Sequence, residues 1–338
     1  MHLRAEDNIK VRLQLKWKHQ FQFAGYYAAN EKGFYRERGI DVEIIEEGNG
    51  NEPVKNVMEG RAEFGIGNSD LLIDRSKGKT VVVLAPIFQH SPYIFITKKS
   101  SGIDSVYKFV GKKVALEKNA AGLLTYLKYQ GVPIDKLNIV SHSFSTEDLI
   151  KENIDVMSGY STDEVYDLHL KNIEINIFSP VESGVDFYGD TLFTSESYLK
   201  NNRETVEKFL EASIEGWKYA RNNRKEIAEL IYSDYTQRHS IKQLMAESDE
   251  MIKLIIPQVV EVGYCNRERW YKIADSYRDV GLVKSKIDFK GFFYEKAAES
   301  IEKKLFYLLC FLLLISVVLI ILSFILIKRV KDNKSENC

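Results

Sequence analysis

The side chains that suggest a chemical task are concentrated in one short run. From Leu13 to Arg38 the chain reads LQLKWKHQFQFAGYYAANEKGFYRER, placing Trp17, His19, Phe21 and Phe23 among the amides of Gln20 and Gln22. Rings can stack on the faces of a small planar molecule while amides pair with its edge, which is the chemistry of binding. An aromatic cluster that only pins the following helix is the other reading of these residues. Four more loops at predicted strand ends carry polar groups. Asn68 and Ser69 could cap the next helix or bond a ligand, and Gln89 with His90 could be turn residues or contacts. Glu164, following Tyr160, could accept paired hydrogen bonds from an aminopyrimidine-like edge or simply favour a helix amino terminus. Tyr188 lies in the aromatic and acidic loop Asp186–Asp190.

Bond-making chemistry has little to work with. The six histidines, His2, His19, His90, His142, His169 and His239, show neither HExxH nor paired metal-ligand spacing. There is no GxSxG elbow, no phosphate-binding P-loop and no GxGxxG after a strand. The expectation is therefore a protein that is not an enzyme, with no metal and no cofactor.

The elements that must position these loops alternate. Short β-rich runs at Ile9–Leu15, Val42–Ile45, Phe64–Ile66, Val81–Ile87, Tyr93–Thr97, Lys113–Leu116, Asn138–Val140, Val156–Gly159, Ile173–Phe178 and Thr191–Thr194 are separated by helical patterns. The first helix is predicted over Ala24–Arg38. Alternation of this kind implies βα units and mainly parallel sheets, with ligands bound at the carboxyl ends of the strands. After Ser195 the pattern turns helical, with Val206, Phe209, Leu210, Ser213 and Trp217 recurring on one face.

Leu305 to Ile327 is a run of 23 residues without a charge. At about 1.5 Å per residue it is long enough to cross a hydrocarbon core of about 30 Å, so a transmembrane helix is predicted there. Four basic residues follow it closely and two precede it, favouring a cytoplasmic tail over 328–338 and the large domain outside. Before residue 302 the chain holds 41 basic and 45 acidic residues, which offers no electrostatic footprint for nucleic acid. Cys265, Cys310 and Cys338 form no disulfide framework. The start MHLRAEDNIK lacks an apolar export signal, and Ala5-Glu6-Asp7 resembles the region just after a cleavage site, so a removed signal is expected.

Six blocks in order carry a family resemblance: LQLKWKHQFQFAGYYAANEKGFYRERGIDVEI, GRAEFGIGNSDLL, GKTVVVLAPIFQHSP, GKKVAL, DVMSGYSTDE and DFYGDTLFTSESYL. Together they resemble the thiamine-pyrimidine-precursor binding family, which joins bacterial periplasmic solute receptors to fungal enzymes that make the thiamine pyrimidine. The HQFQFAGYYAA variant is most similar to receptor modules of bacterial membrane sensors. The resemblance implies a type II periplasmic-binding fold spanning 9–285: two α/β lobes joined by two hinge strands. The lobes would be 9–94 with 192–285, and 95–191, with hinges near Tyr93–Thr97 and Thr191–Thr194. A juxtamembrane helical segment over 286–304 would lead to the membrane.

The resemblance further implies a small planar nitrogen heterocycle bound between the lobes. Trp17, Gln22 and Phe23 would form one wall, Asn68 and Ser69 would add polar contacts, and Tyr160, Glu164 and Tyr188 would answer from the second lobe and hinge. Gln89 completes the candidate set. The expected partners are this ligand, a bacterial inner membrane, and either a signalling kinase or cyclase domain or an ABC permease. The fungal reaction is not expected: its lysine falls at Gly67, its consumed histidine at Leu71, and its cysteine motif around Gly184–Tyr188, where there is no cysteine.

Overall fold

The computed structural model describes residues 8–48, 52–296, 306 and 308–323. Its strands are β1 (Ile9–Gln14), β2 (Ile40–Ile45), β3 (Phe64–Gly67), β4 (Val81–Pro86), β5 (Tyr93–Lys98), β6 (Lys113–Ala115), β7 (Asn138–Val140), β8 (Val156–Tyr160), β9 (Ile175–Phe178) and β10 (Thr191–Ser195). They form two five-stranded sheets, ordered β2-β1-β3-β10-β4 and β7-β6-β8-β5-β9. In the first sheet β1 runs parallel to β2 and β3, while β10 lies antiparallel between β3 and β4. The second sheet repeats this plan, with β6 parallel to β7 and β8, and β5 antiparallel between β8 and β9. In each sheet the antiparallel strand is the one that enters just after the chain has crossed from the other sheet. Tyr93–Thr97 and Thr191–Thr194 are thus ladder members inside the sheets, and the crossings themselves are 87–92 and 179–190.

Burial explains the sheets. Leu13, Phe64, Val82 and Leu192 pack beneath the first sheet against the helices Ala24–Glu31 and Arg203–Asn222. The first helix stops at Glu31, shorter than predicted, because Gly33 turns the chain at φ +84° before a single 3-10 turn at Arg36–Arg38. Ile94, Ile96 and Met157 pack on Leu149 and Leu168 beneath the second sheet. A third cluster joins the two lobes: Val83 and Phe193 from one and Phe95 and Val156 from the other meet Trp270 and Tyr277 of the helix Arg267–Asp279. That helix therefore packs against both lobes.

The described part of the expected helical approach, residues 286–296, is a strap without helix, and 297–304 lie outside the described residues. Val83 donates its backbone N–H to Phe292 O (2.8 Å), and Tyr294 N–H donates to Val83 O (2.9 Å). Strand β4 has only β10 beside it in the sheet, so the strap satisfies an edge that would otherwise be open. Phe292, fully buried, anchors it. Residues 295–338 form a separate unit, in which Phe306 and 308–323 are helical with exposed apolar side chains. Among the described residues no helix is long and apolar enough to cross a membrane. The remainder of the expected 305–327 span, the 328–338 tail and residues 1–7 lie outside the described residues.

The two crossings are packed directly on each other. His90 of the first meets the Asp186 carboxylate of the second, Nδ1 to Oδ1, at 2.8 Å. A Cβ added to Gly189 would lie 2.9 Å from His90 O, from Phe88 Cβ and from Pro92 Cδ. Replacing glycine by alanine usually stabilises by about 0.4–1 kcal/mol through the unfolded chain. Overpacking against fixed backbone costs about 1–3 kcal/mol and should win here. Gly189→Ala is therefore expected to lower the urea midpoint of the two-lobed domain; a raised midpoint would show that the crossings have slack.

Candidate functional site

A cavity of about 530 Å³ opens where the carboxyl ends of β1, β3, β6, β7 and β8 face one another. Its floor is a buried ion pair. Lys16 follows β1, and its ammonium donates to Tyr160 Oη at the end of β8 (2.6 Å) and to Asp190 Oδ1 in the second crossing (3.4 Å). It also lies 5.5 Å and 5.3 Å from the ring centroids of Tyr93 and Tyr160. Burial opposes the Lys16 charge, but the Tyr160 oxygen and the Asp190 carboxylate outweigh it and hold its pKa above the ordinary value. Asp190, itself 2% exposed, is satisfied on its other oxygen by Gln22 Nε2 at 2.7 Å. Gln20 Nε2 bonds Gln22 Oε1 (2.9 Å), and Arg238 Nη2 bonds Gln20 Oε1 (2.5 Å). The amides between the aromatic residues thus form a chain that orients the cavity's ammonium.

The turn carrying these amides is held by a carboxylate from far along the chain. Glu247, buried in the helix Ile241–Ile255, accepts the backbone N–H of Phe21 (3.0 Å) and of Gln22 (2.9 Å). Burial pushes its pKa well up in spite of these two donors.

The walls are aromatic. Trp17 meets Phe144 with ring centroids 4.6 Å apart and planes tilted by 54°. Trp17 follows β1, whereas Phe144 follows β7, so this contact closes the cleft from opposite lobes. Phe144 is held at φ +61°, an uncommon conformation for a bulky residue, by a loop bond from its N–H to His142 Nδ1 (2.8 Å). His142 Nε2 donates to Ser158 O (2.8 Å), which fixes the neutral tautomer, and burial lowers its pKa.

The edge of the cavity is acidic. Glu47, Glu52, Asp70, Asp74, Glu117, Asp163 and Glu164 line it, against Lys16 and Lys118. Glu164 accepts the Tyr160 backbone N–H at 2.7 Å, and burial, with Asp163 and Glu117 nearby, raises its pKa well above normal. Asp70 is raised to about 6 by burial, although Tyr277 Oη (2.8 Å) and the Ala121 N–H (3.2 Å) both donate to it. Glu117 accepts from Tyr93 Oη at 3.1 Å.

Of the nine residues in the candidate set, Trp17, Gln22, Asn68, Tyr160 and Glu164 line this cavity and the other four do not; Gln20, from the same opening run, lines it as well. Asn68 also ties the lobes, its Nδ2 donating to Asn119 O at 3.0 Å. Phe23 is fully buried in the first-lobe core, because the 3-10 turn Phe21–Phe23 rotates it away from the cleft. Ser69 Oγ donates to Tyr188 O (2.8 Å), fastening the second crossing. Gln89 Nε2 is used up by Pro86 O (3.0 Å) and Tyr264 O (2.9 Å). Tyr188 faces away, its ring stacked on Trp270 at 5.1 Å and its Oη accepting the Asn266 N–H at 3.1 Å. Lys16, Tyr93, Glu117 and Phe144 were missed. Lys16 and Glu117 each lie just past the carboxyl end of a strand, a signal that would have found them. Gly67 and Leu71 do line the cavity, so the fungal lysine and histidine positions carry neither an amine nor an imidazole. Among the described residues no group of three or more His, Cys, Asp or Glu could hold a metal ion.

Glu117 gives a measurable pH signature. Burial raises its pKa to about 7, against the opposing pull of Lys16 and the Tyr93 hydroxyl, from an ordinary 4.5. Between those values the folded chain keeps a proton that the unfolded chain has released, so stability falls as pH rises from about 4.5 through about 7. Glu117→Gln has no such proton. Its stability, followed by urea unfolding across this window, should fall less steeply than that of the parent, by up to about 1.4 kcal/mol per pH unit. Parallel curves for the two proteins would contradict the assignment.

The relatives agree with this architecture. The family described as NMT1/THI5 like matches residues 20–227, more than half of the chain. The riboflavin-binding protein RibY of Chloroflexus aurantiacus is 22% identical over 296 residues, covering 82% of this chain and 83% of its own. The formylaminopyrimidine-binding protein of Halalkalibacterium halodurans is 23% identical over 231 residues, covering 66% of this chain and 70% of its own. Among solved structures, the alkanesulfonate-binding protein SsuA from Xanthomonas axonopodis pv. citri, bound to MOPS, has a TM-score of 0.67 at 9% identity, covering 86% of this chain and 100% of that one. A Candida albicans protein with the generic periplasmic binding protein fold has a TM-score of 0.63 at 14% identity, with 86% and 99% covered. The chain has that fold and belongs to the NMT1/THI5-like family.

Proposed function

We propose that this chain is a solute receptor that closes its two lobes on a small, planar, nitrogen-rich heterocycle resembling a thiamine pyrimidine precursor, and releases it unchanged. The observation that carries the reading is the pairing of an aromatic wall, Trp17 packed on Phe144, with the carboxyl groups of Glu117 and Glu164 at the cavity edge. A flat ring can stack on an aromatic face of this kind, and an amino-bearing edge supplies the hydrogen that a carboxyl oxygen accepts. The names of the riboflavin- and formylaminopyrimidine-binding relatives support a planar nitrogen ligand. The fold likeness to alkanesulfonate-binding proteins does not carry their ligand over, since a sulfonate would face a lining that stays net negative even with Glu117 and Glu164 protonated: Glu47, Glu52, Asp70, Asp74 and Asp163 against Lys16 and Lys118. Catalysis is not part of the reading, because the cavity positions that match the fungal lysine and histidine are Gly67 and Leu71.

Calorimetric titration with formylaminopyrimidine, hydroxymethylpyrimidine, riboflavin, amino acids and aliphatic sulfonates tests the assignment. A pyrimidine should bind, and Trp17→Ala should weaken it about tenfold or more, since one ring pair contributes about 0.5–1.5 kcal/mol beyond area burial. Binding of sulfonates alone would remove the heterocycle and leave a receptor.

The proposed setting is the outer face of a bacterial inner membrane. Support comes from the uncharged run 305–327, which suits a tether and so a sensor whose output lies in a kinase or cyclase domain or a separate partner. Delivery to an ABC permease is the second reading, favoured by relatives that are named as binding proteins. Deleting 305–327 should abolish a ligand-dependent transcriptional or cyclic-nucleotide response while uptake of labelled precursor continues. Loss of uptake with signalling intact would reverse the order.

A further inference from the structure

The second crossing is gripped on both faces. Toward the cleft, Asp190 holds Lys16 and Gln22. Away from it, Tyr188 stacks on Trp270 with planes 28° apart, and the Arg269 guanidinium lies 4.3 Å from the centre of the Tyr188 ring. Arg269 Nη2 also reaches the Asp186 carboxylate at 2.9 Å and its carbonyl at 3.1 Å. Three consecutive links therefore tie the cleft to the helix Arg267–Asp279: Lys16 to Asp190, the short chain from Asp190 to Tyr188, and Tyr188 to Trp270.

The same tryptophan carries the strap. Trp270 meets Phe292 edge-on at 5.4 Å and Phe293 at 6.5 Å. The strap's backbone hold on the sheet is the two bonds to Val83 already described, on a strand that runs directly into the first crossing. Arg75, donating to Asp288 O (3.1 Å) and Lys290 O, and Tyr294 Oη, donating to Glu207 (3.2 Å), fix it to neighbouring helices. The strap thus touches both hinges, one through β4 and the other through Trp270. Beyond it the chain continues toward the apolar 305–327 run.

We propose that the strap 287–294 reports the state of the cleft: when the lobes rotate about their crossings, Tyr188 shifts Trp270, and the strap's pairing with β4 tightens or loosens. This rests on the reading of the cleft as a site that closes. It requires one coupled equilibrium between the cleft contacts and the strap, and coupling of this kind is reciprocal. Neighbouring contacts alone do not establish it, so the test measures coupling and not proximity.

Amide hydrogen exchange at Val83 and Tyr294 reads the two strap bonds directly. Tyr160→Phe removes the cross-cleft bond from Lys16 without touching the strap, and Lys16→Met is the second variant should the first fold poorly. The expected result is a change of about threefold or more in exchange at Val83 and Tyr294, with Glu43 and Ile45 on the far strand β2, whose N–H groups face β1, unaffected. In a Trp270→Phe background, the same cleft substitution should lose most of this effect. Unchanged exchange at the strap, an equal change at every amide, or an effect that survives Trp270→Phe would each overturn the proposal. Because these measurements use the ligand-free protein, their failure leaves the binding reading to be judged by the titrations alone.

Discussion

An ammonium group sheltered from water must be given partners, because the desolvation of an unpaired charge costs several kcal/mol. Lys16, whose side chain is 13% exposed, meets that demand with one group from each structural region: Asp190 from a crossing and Tyr160 from the second lobe. Lys16 itself continues from a first-lobe strand. The constraint ties three segments that are distant in sequence to a single point. The amide chain from Arg238 through Gln20 and Gln22 to Asp190 follows from it, since the second oxygen of Asp190 also needs a donor. Without that chain the buried carboxylate would be half satisfied and the lysine poorly aimed.

The rest of the cleft depends on this floor. Trp17 is the next residue after Lys16, so fixing the ammonium fixes where the indole can stand. Tyr160 is followed by the turn that brings Glu164 back to its own backbone N–H. Glu247 locks the opposite side by accepting two consecutive backbone N–H groups, a rigid arrangement for a segment whose only regular structure is a single 3-10 turn. Aromatic walls and acidic edge are thereby presented on a preorganised frame, which lowers the ordering cost of binding.

Much of the frame was legible in the sequence, for a clear reason. All ten strands were read close to where they stand, because each is a short apolar run closed by turn residues, and both signals are local. What was not legible depended on contacts across the fold. Phe23 and Tyr188 have the chemistry of ligand-binding residues, yet a 3-10 turn and a stack on Trp270 turn both away from the cavity. Gln89 looked like a contact and is consumed by carbonyls from Pro86 and Tyr264, the latter 175 residues away. Phe144 carried no signal, since its role arises from a left-handed backbone conformation and from Trp17 approaching from the other lobe. The strap was misread as helix because its aromatic residues suggest a membrane approach as readily as a covered sheet edge.

The central claim is that the two lobes close on a planar nitrogen heterocycle stacked against the aromatic wall that Trp17 and Phe144 form. The most direct measurement is the distance between spin labels, one on each lobe at exposed positions such as Glu43 and Lys136, by pulsed electron resonance with and without saturating formylaminopyrimidine. The account predicts a broad distribution in the free protein that collapses to a single shorter distance when the ligand is added. An unchanged distribution at saturation, with binding established by calorimetry in the same sample, would contradict it.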